Sequence, residues 1–190
     1  PGESVFVTGA GGAVGSMAGQ FARLLGASKV VGSAGGEEKC AWLKDECGFD
    51  QVIDYRTADV RAALGEAFPD GIDLFFDNVG GWQMVHALHN MTIGGRISMC
   101  GAVSNFGSQE QPSLSELIEV VLRRVTLRGF IVRDYEDLRP EFEARVSGWL
   151  ASGELVDRAT VFEGIENAGA GLEGLLNGAN LGKALIRLSE

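Results

Sequence analysis

Cysteine, histidine, positive charge and long apolar runs are all scarce in this 190-residue chain, and each scarcity removes a class of function. Cysteine occurs three times, as Cys40, Cys47 and Cys100, too few and too scattered for a disulfide framework. A reducing compartment follows, and the cytoplasm is the expected location. Histidine occurs twice, as His86 and His89. Cys40 and Cys47 are spaced to share a helix face, but no further ligand stands near either pair, so no metal site is expected. The two histidines read as a partly exposed helix surface. Lys and Arg number 16 against 26 Asp and Glu, a net charge of -10. Such a field repels phosphate backbones and anionic bilayers, so neither nucleic acid nor a membrane is an expected partner. Any phosphate bound here must be held locally. No apolar run approaches the ~20 residues of a membrane span, and the N-terminus lacks the basic and apolar regions of a signal peptide.

What remains is ordinary globular composition, 45% hydrophobic and 22% charged, in a chain long enough for one sizeable core. Its organising stretch is Thr8-Gly9-Ala10-Gly11-Gly12-Ala13-Val14-Gly15. The β-branched run Val5-Phe6-Val7 precedes it, and Val14, Met17, Ala18, Phe21 and Leu25 then fall on one face of a helix. Strand, glycine loop and helix in that order present unpaired backbone N–H groups and the positive helix end to an anion. Gly9, Gly12 and Gly15 let a phosphate approach without meeting a Cβ, as a dinucleotide-binding turn requires.

Downstream, strands are expected at residues 29–32, 51–55, 72–77, 96–100 and 126–132. Helices are expected between them at 37–47, 58–68, 82–91 and from Ser113, where Ser113 with Glu116 reads as a capping box. Residues 101–112 form a polar loop long enough to be functional. This alternation predicts an α/β, Rossmann-type doubly wound fold with a six-stranded parallel sheet. Residues 1–133 are the expected dinucleotide-binding core, and 134–190 add helices at about 136–151 and 165–176 and strands at 160–162 and 184–188. The Gly178-x-x-x-Gly182-Lys183 stretch is not a nucleotide P-loop: one intervening residue is missing, Ala184 replaces the magnesium-binding hydroxyl, and a strand follows.

An NAD-preferring turn places Asp or Glu after the second strand to accept from the ribose hydroxyls. Here that turn reads Gly32-Ser33-Ala34-Gly35-Gly36, without an acid, and Lys39 follows in the first turn of the next helix. Small residues leave room for a 2′-phosphate and Lys39 supplies a charged contact, so NADP(H) is the expected cofactor. Glu37 and Glu38 suit a helix N-terminus and are expected to face solvent. A methyltransferase is disfavoured, because its cofactor also wants an acid after the second strand.

Several ordered stretches now resemble the zinc-independent branch of the medium-chain dehydrogenases/reductases, near prostaglandin and alkenal double-bond reductases. They are Gly12-Ala13-Val14-Gly15-Ser16, Glu38-Lys39, Gly48-Phe49-Asp50, Phe76-Asp77-Asn78-Val79-Gly80-Gly81, Gly95-Arg96-Ile97, Cys100-Gly101-Ala102 and Asn180-Leu181-Gly182-Lys183. The resemblance implies NADPH-dependent reduction of a carbon–carbon double bond conjugated to a carbonyl, with quinone reduction as the nearest rival. It implies that Gly12, Ala13, Val14 and Gly15 hold the pyrophosphate, that Lys39 and Tyr55 meet the adenosine phosphate end, and that Asn78 lies near a ribose. Cys100, Gly101, Ala102, Val103, Ser104, Asn105 and Phe106, with Phe130, Ile131 and Val132, would flank the nicotinamide, and Asn180 would reach the cofactor from the C-terminal segment. Phe106 stands where close relatives have a tyrosine, and it cannot donate a hydrogen bond to an enolate, so no catalytic side chain is assigned.

In that family a barrel-like, GroES-like substrate domain precedes the cofactor fold, whereas Pro1-Gly2-Glu3-Ser4 leads almost directly into the first strand. The expectation is a cofactor-binding fragment that binds NADP(H) without turnover by itself. Apolar surface left bare by the missing domain makes a homodimer the expected assembly. A non-catalytic NADP-binding redox sensor is the alternative from a different class.

Overall fold

The computed structural model describes residues 1–106 and 113–188, with Asn105, Phe106 and Leu114 described by backbone alone. The chain alternates strand and helix: β1 (Ser4–Val7), α1 (Ala13–Leu24), β2 (Lys29–Ala34), α2 (Glu37–Asp45), β3 (Gln51–Asp54), α3 (Val60–Ala67), β4 (Ile72–Asp77), α4 (Gly81–Leu88) and β5 (Met91–Met99). There follow α5 (Ile118–Arg123), β6 (Thr126–Gly129), α6 (Arg139–Ser152), β7 (Ala159–Glu163), α7 (Ala168–Leu176) and β8 (Lys183–Arg187).

Strands β1 to β6 form one parallel sheet in the order β3-β2-β1-β4-β5-β6, the expected doubly wound architecture. Because side chains alternate along a strand, β1 supplies both faces. Val5 and Val7 pack with Val30, Trp42, Leu43 and Phe49, while Phe6 packs with Val31, Leu64, Phe75 and Leu88. Phe6 and Phe75 stack at 5.2 Å between ring centres. Burying each such side chain stabilises the fold by about 1.5–3 kcal/mol. Strand order reverses between β1 and β4, so the loops leaving these strands diverge and open a crevice at the carboxyl edge of the sheet. Strands β7 and β8 make a separate parallel pair, joined to the main fold by a bridge between Gly12 and Gly182.

Three local expectations are corrected, and the packing of α1 adds a detail. The apolar face of α1 is only partly covered: the helix's buried residues are Gly15, Ser16, Gly19 and Gln20, Ala18 packs half-buried against the core, and Val14 and Leu25 are exposed. Small residues win there because the helix lies close. A Cβ on Gly19 would stand 1.9 Å from Phe49 Cζ. Helix α4 ends at Leu88 and Met91 already belongs to β5, which is longer than expected and shifts register against β4 between Ile72 and Leu74. Strand β6 stops at Gly129, so Phe130, Ile131 and Val132 leave the sheet as irregular backbone and a 3-10 turn. The capping box is half formed. Ser113 Oγ accepts from Ser115 N–H at 3.3 Å, but the Glu116 carboxylate points to His89 Nε2 at 3.6 Å. Of the expected 101–112 loop, residues 107–112 lie outside the described residues.

Candidate functional site

Glycine geometry builds the site. Gly9 has a φ of +60°, in the left-handed region, and its carbonyl accepts from Gly12 N–H at 3.1 Å, folding the loop under α1. A Cβ on Gly15 would lie 2.3 Å from Gly9 O, so the first helical turn can settle on this loop only as glycine. Gly12 caps α1 with no side chain, and no acid occupies the first turn. The N–H groups there have no intrahelical acceptor and face outward with the positive end of the helix dipole. This is a cradle for an anion.

A buried carboxylate fixes the opposite wall. Asp77, at the end of β4 and fully buried, accepts from Thr8 Oγ1 at 2.7 Å and from the N–H groups of Val79 and Gly80 at 2.9 Å. Thr8 Oγ1 in turn accepts from Asn78 N–H at 2.9 Å, and Asn78 Nδ2 donates to Thr8 O at 2.7 Å. The ends of β1 and β4 are thereby locked where the strand order reverses.

The far C-terminal segment forms the roof. Gly182 N–H donates to Gly11 O at 3.0 Å, and Lys183 N–H to Arg158 O at 2.9 Å. The Asn180 amide, 3% exposed, donates to Gly182 O at 2.8 Å. Gly182 has a φ of +65°, and a Cβ there would stand 2.0 Å from Arg158 O. Only glycine permits this backbone-on-backbone contact.

A cavity of about 400 Å³ lies between these parts. Of the expected residues it brings together Gly12, Ala13, Val14, Gly15, Lys39, Tyr55, Asn78, Val103 and Asn180. Cys100, Phe130, Ile131 and Val132 instead line an adjoining open apolar groove of about 930 Å³, which meets the cavity at Ala13 and Val14. Gly101, Ala102 and Ser104 stand behind the cavity. Gly101 N–H reaches Asp77 O at 3.1 Å, Ser104 N–H reaches Val79 O at 3.0 Å, and Ala102 Cα would lie 3.6 Å from a Cβ on Gly80. Asn105 and Phe106 lie in a 3-10 turn, and their side chains are outside the described residues.

Lys39 runs across the glycine loop, its Cδ 2.7 Å from where a Cβ of Gly11 would be. Burial, and then the nearby Arg56 charge, hold the Lys39 ammonium below the usual lysine range, with Glu38 opposing. Glu37 and Glu38 are exposed, as expected. The cavity therefore has a positive far end in an acidic protein.

This cavity, glycine-floored, open at a helix N-terminus and lysine-bearing at its far end, fits an elongated phosphate-bearing ligand. Residues 13–151 match the family model described as zinc-binding dehydrogenase. The chain belongs to the zinc-binding dehydrogenase family.

Within and around this zinc-binding dehydrogenase family, two relatives and a solved structure are informative. An NADP(+)-dependent 2-alkenal reductase of Nicotiana tabacum is 41% identical over 99% of this chain and 55% of its own. Prostaglandin reductase 1 of Bos taurus is also 41% identical, over 98% of this chain and 57% of its own. The crystal structure of CurA from Vibrio vulnificus in complex with NADPH superposes with a TM-score of 0.93 at 38% identity, covering 100% of this chain and 58% of that one. The chain thus spans little more than half the length of these proteins. Among the described residues, no group of three or more His, Cys, Asp or Glu is placed to hold a metal ion, whatever the family's name. Cys40 sits on α2, whereas Cys47 lies beyond that helix in the core, where burial raises its thiol pKa to about 12. His86 is on α4, and His89, its C-cap, lies between Glu116 and Glu119. No helix among the described residues is long and apolar enough to cross a membrane.

Ala34 and Gly35 line the cavity too, in the small-residue turn expected to leave room for a 2′-phosphate, whereas Val79, Leu175, Gly178, Gly182, Lys183 and Ala184 were assigned no contact from the sequence. In 175–184 the signal was the Asn180-Leu181-Gly182-Lys183 stretch of the resemblance, from which only Asn180 was assigned a contact.

Proposed function

We propose that this chain is the NADP(H)-binding part of an oxidoreductase that reduces a carbon–carbon double bond conjugated to a carbonyl. The observation that carries this is the single cavity joining a bare helix N-terminus to Lys39, with no acid after β2. Likeness to an NADP(+)-dependent 2-alkenal reductase and to CurA with NADPH supports it. The residues present fit the cofactor. Gly12 leaves a cradle that a Cβ would narrow, a Cβ on Gly15 would meet Gly9 O, and the donors are backbone N–H groups and a lysine, as a pyrophosphate and a 2′-phosphate require.

NADPH, when bound, supplies a hydride to the β-carbon of the substrate. Gly12 to Gly15 hold the pyrophosphate, Lys39 and Tyr55 take the adenosine phosphate end, and Asn78, fixed by Thr8 and Asp77, sets the ribose. Asn180 closes from the roof. Cys100, Phe130, Ile131 and Val132 give the apolar groove that excludes water beside the reacting carbon. Hydride transfer needs reacting atoms about 3–3.5 Å apart in a closed site, and the rest of a protein of the relatives' length, with its GroES-like domain, supplies the other wall. Residues 1–133 are the dinucleotide-binding core, and 134–190 complete the site and lead toward that domain. The protein works in the cytoplasm, in keeping with its three free thiols.

A second copy pairs along β6. That edge strand is exposed at all four residues, beside the exposed Ile118, Val121 and Leu122 of α5. Sedimentation that stays monomeric at high concentration would overturn the dimer. For the cofactor and reaction, the full-length protein is expected to bind NADPH at least tenfold more tightly than NADH and to oxidise it with an α,β-unsaturated aldehyde. Equal affinity for the two cofactors rejects the cofactor assignment, and turnover with quinones alone moves the substrate to that class.

A further inference from the structure

The positive end of the cavity holds a second charge that Lys39 does not account for. Arg56 follows Tyr55 at the end of β3, and its backbone N–H donates to Asp54 Oδ1 at 3.0 Å. The same oxygen accepts from Gly36 N–H at 3.1 Å, so Asp54 ties the turn after β3 to the turn after β2. From that anchor the Arg56 side chain lies across Gly35 and Gly36. A Cβ on Gly35 would stand 2.8 Å from Arg56 Nε and 2.7 Å from the Tyr55 hydroxyl. Across the gap, Arg56 Nη2 donates to Asn177 O at 3.2 Å, at the C-terminal end of α7.

Gly178 shows what the two cations share. A Cβ there would be 3.5 Å from Lys39 Nζ and 3.6 Å from Arg56 Nη2, so both charges border one small space that no side chain of this segment enters. Neither Lys39 nor Arg56 forms an ion pair among the described residues, although the chain carries 26 acids. Two unpaired cations closing on one space repel each other unless an anion lies between them. A guanidinium with one N–H committed to Asn177 keeps four for such an anion, and its planar fork suits phosphate oxygens.

We propose that Arg56 is a second reader of the cofactor's 2′-phosphate, closing on it opposite Lys39 and linking it through Asn177 to the roof segment. This rests on the NADP(H) assignment above. It makes Arg56 a specificity residue, one that distinguishes cofactors by a single phosphate and leaves the rest of the dinucleotide untouched.

The test uses the full-length protein titrated calorimetrically with adenosine 2′,5′-bisphosphate and with NADH. Arg56→Ala is expected to weaken bisphosphate binding roughly 10- to 100-fold, the range for a charge-assisted contact, while NADH binding changes less than about twofold. Arg56→Lys should recover part of the loss. Gly178→Asp, which sets a carboxylate between the two cations, should imitate Arg56→Ala, with NADH binding reporting that the site is still folded. Unchanged bisphosphate affinity in Arg56→Ala overturns the proposal. So does an equal loss for both ligands, which would make Arg56 only a tie to Asn177. If the unsubstituted protein shows no preference for the 2′-phosphate, the NADP(H) assignment itself fails, an outcome separate from a failure confined to Arg56.

Discussion

Residues 4–99 and residues 118–188 are built on different terms. The largest fully buried side chains, among them Phe6, Leu43, Leu64, Phe75, Leu88 and Ile97, all belong to the first region. In the second, α5 and α6 bury nothing completely, and Val125, Leu155 and Leu181 are the main buried apolar residues. Phe142 and Trp149 of α6 reach back to Phe21, at ring separations of 5.8 Å. The first region supplies nearly all of both core clusters, to which the second adds Val125 and Leu181. The second carries apolar residues that line a groove and a roof, so its value lies in what it covers.

The sharpest way to break that comparison is to remove one aromatic from each region. Phe75→Ala is expected to cost about 3–5 kcal/mol in urea unfolding, whereas Phe142→Ala should cost no more than about 1.5 kcal/mol. Equal losses would mean that α6 shares the core after all. Next comes Gly182→Ala, whose Cβ would meet Arg158 O at 2.0 Å. It should lift the roof and weaken NADPH binding at least tenfold, yet shift the unfolding midpoint less than Phe75→Ala does. A midpoint drop as large as that of Phe75→Ala would tie the roof to the core.

The smallest expected effect is at Lys39, and its sign is opposite. Burial and Arg56 lower its pKa on folding, so the charged form is disfavoured in the native state. Stability is therefore withheld while Lys39 is charged, and regained as pH rises through its lowered folded value toward the ordinary lysine range. Lys39→Met should raise the ligand-free melting temperature at neutral pH by about 1–3 °C, while lowering NADPH affinity. A fall in melting temperature would show that Lys39 contributes more through its contacts than its charge costs. In the unsubstituted protein, preference for NADPH over NADH should decline at a lower pH than a solvated lysine would dictate.

The same contrast explains what could be read in advance. The alternation of β1 through β5 with their helices was legible because burial inside the region produces the periodicity that pattern reading detects. Lys39 was expected from the residues, as a cation in the first turn of α2, whereas Tyr55 and Asn78, each just beyond a strand, were expected only through the family resemblance. The face of α1 was harder to interpret. Val14, Met17 and Phe21 do form an apolar stripe, but it lines the open groove, while Gly15 sits on the glycine loop and Gly19 on the Phe49 ring. Arg56 gave no signal at all. A lone arginine after a strand reads as solvated, and only the return of Asn177 and Gly178 from a distant segment gives it a partner. Strand β6 was read too long because Phe130-Ile131-Val132 has strand composition, yet Ile131 and Val132 are exposed on a surface outside the sheet.

The bridge between Gly12 and Gly182 also has a consequence for synthesis. A chain made from its N-terminus completes the glycine loop well before the roof segment that bridges to it. A cofactor that needs both stabilises only a chain folded through Gly182, by mass action on the folded state. A chain cut or terminated before Gly182 would gain no such protection from the ligand.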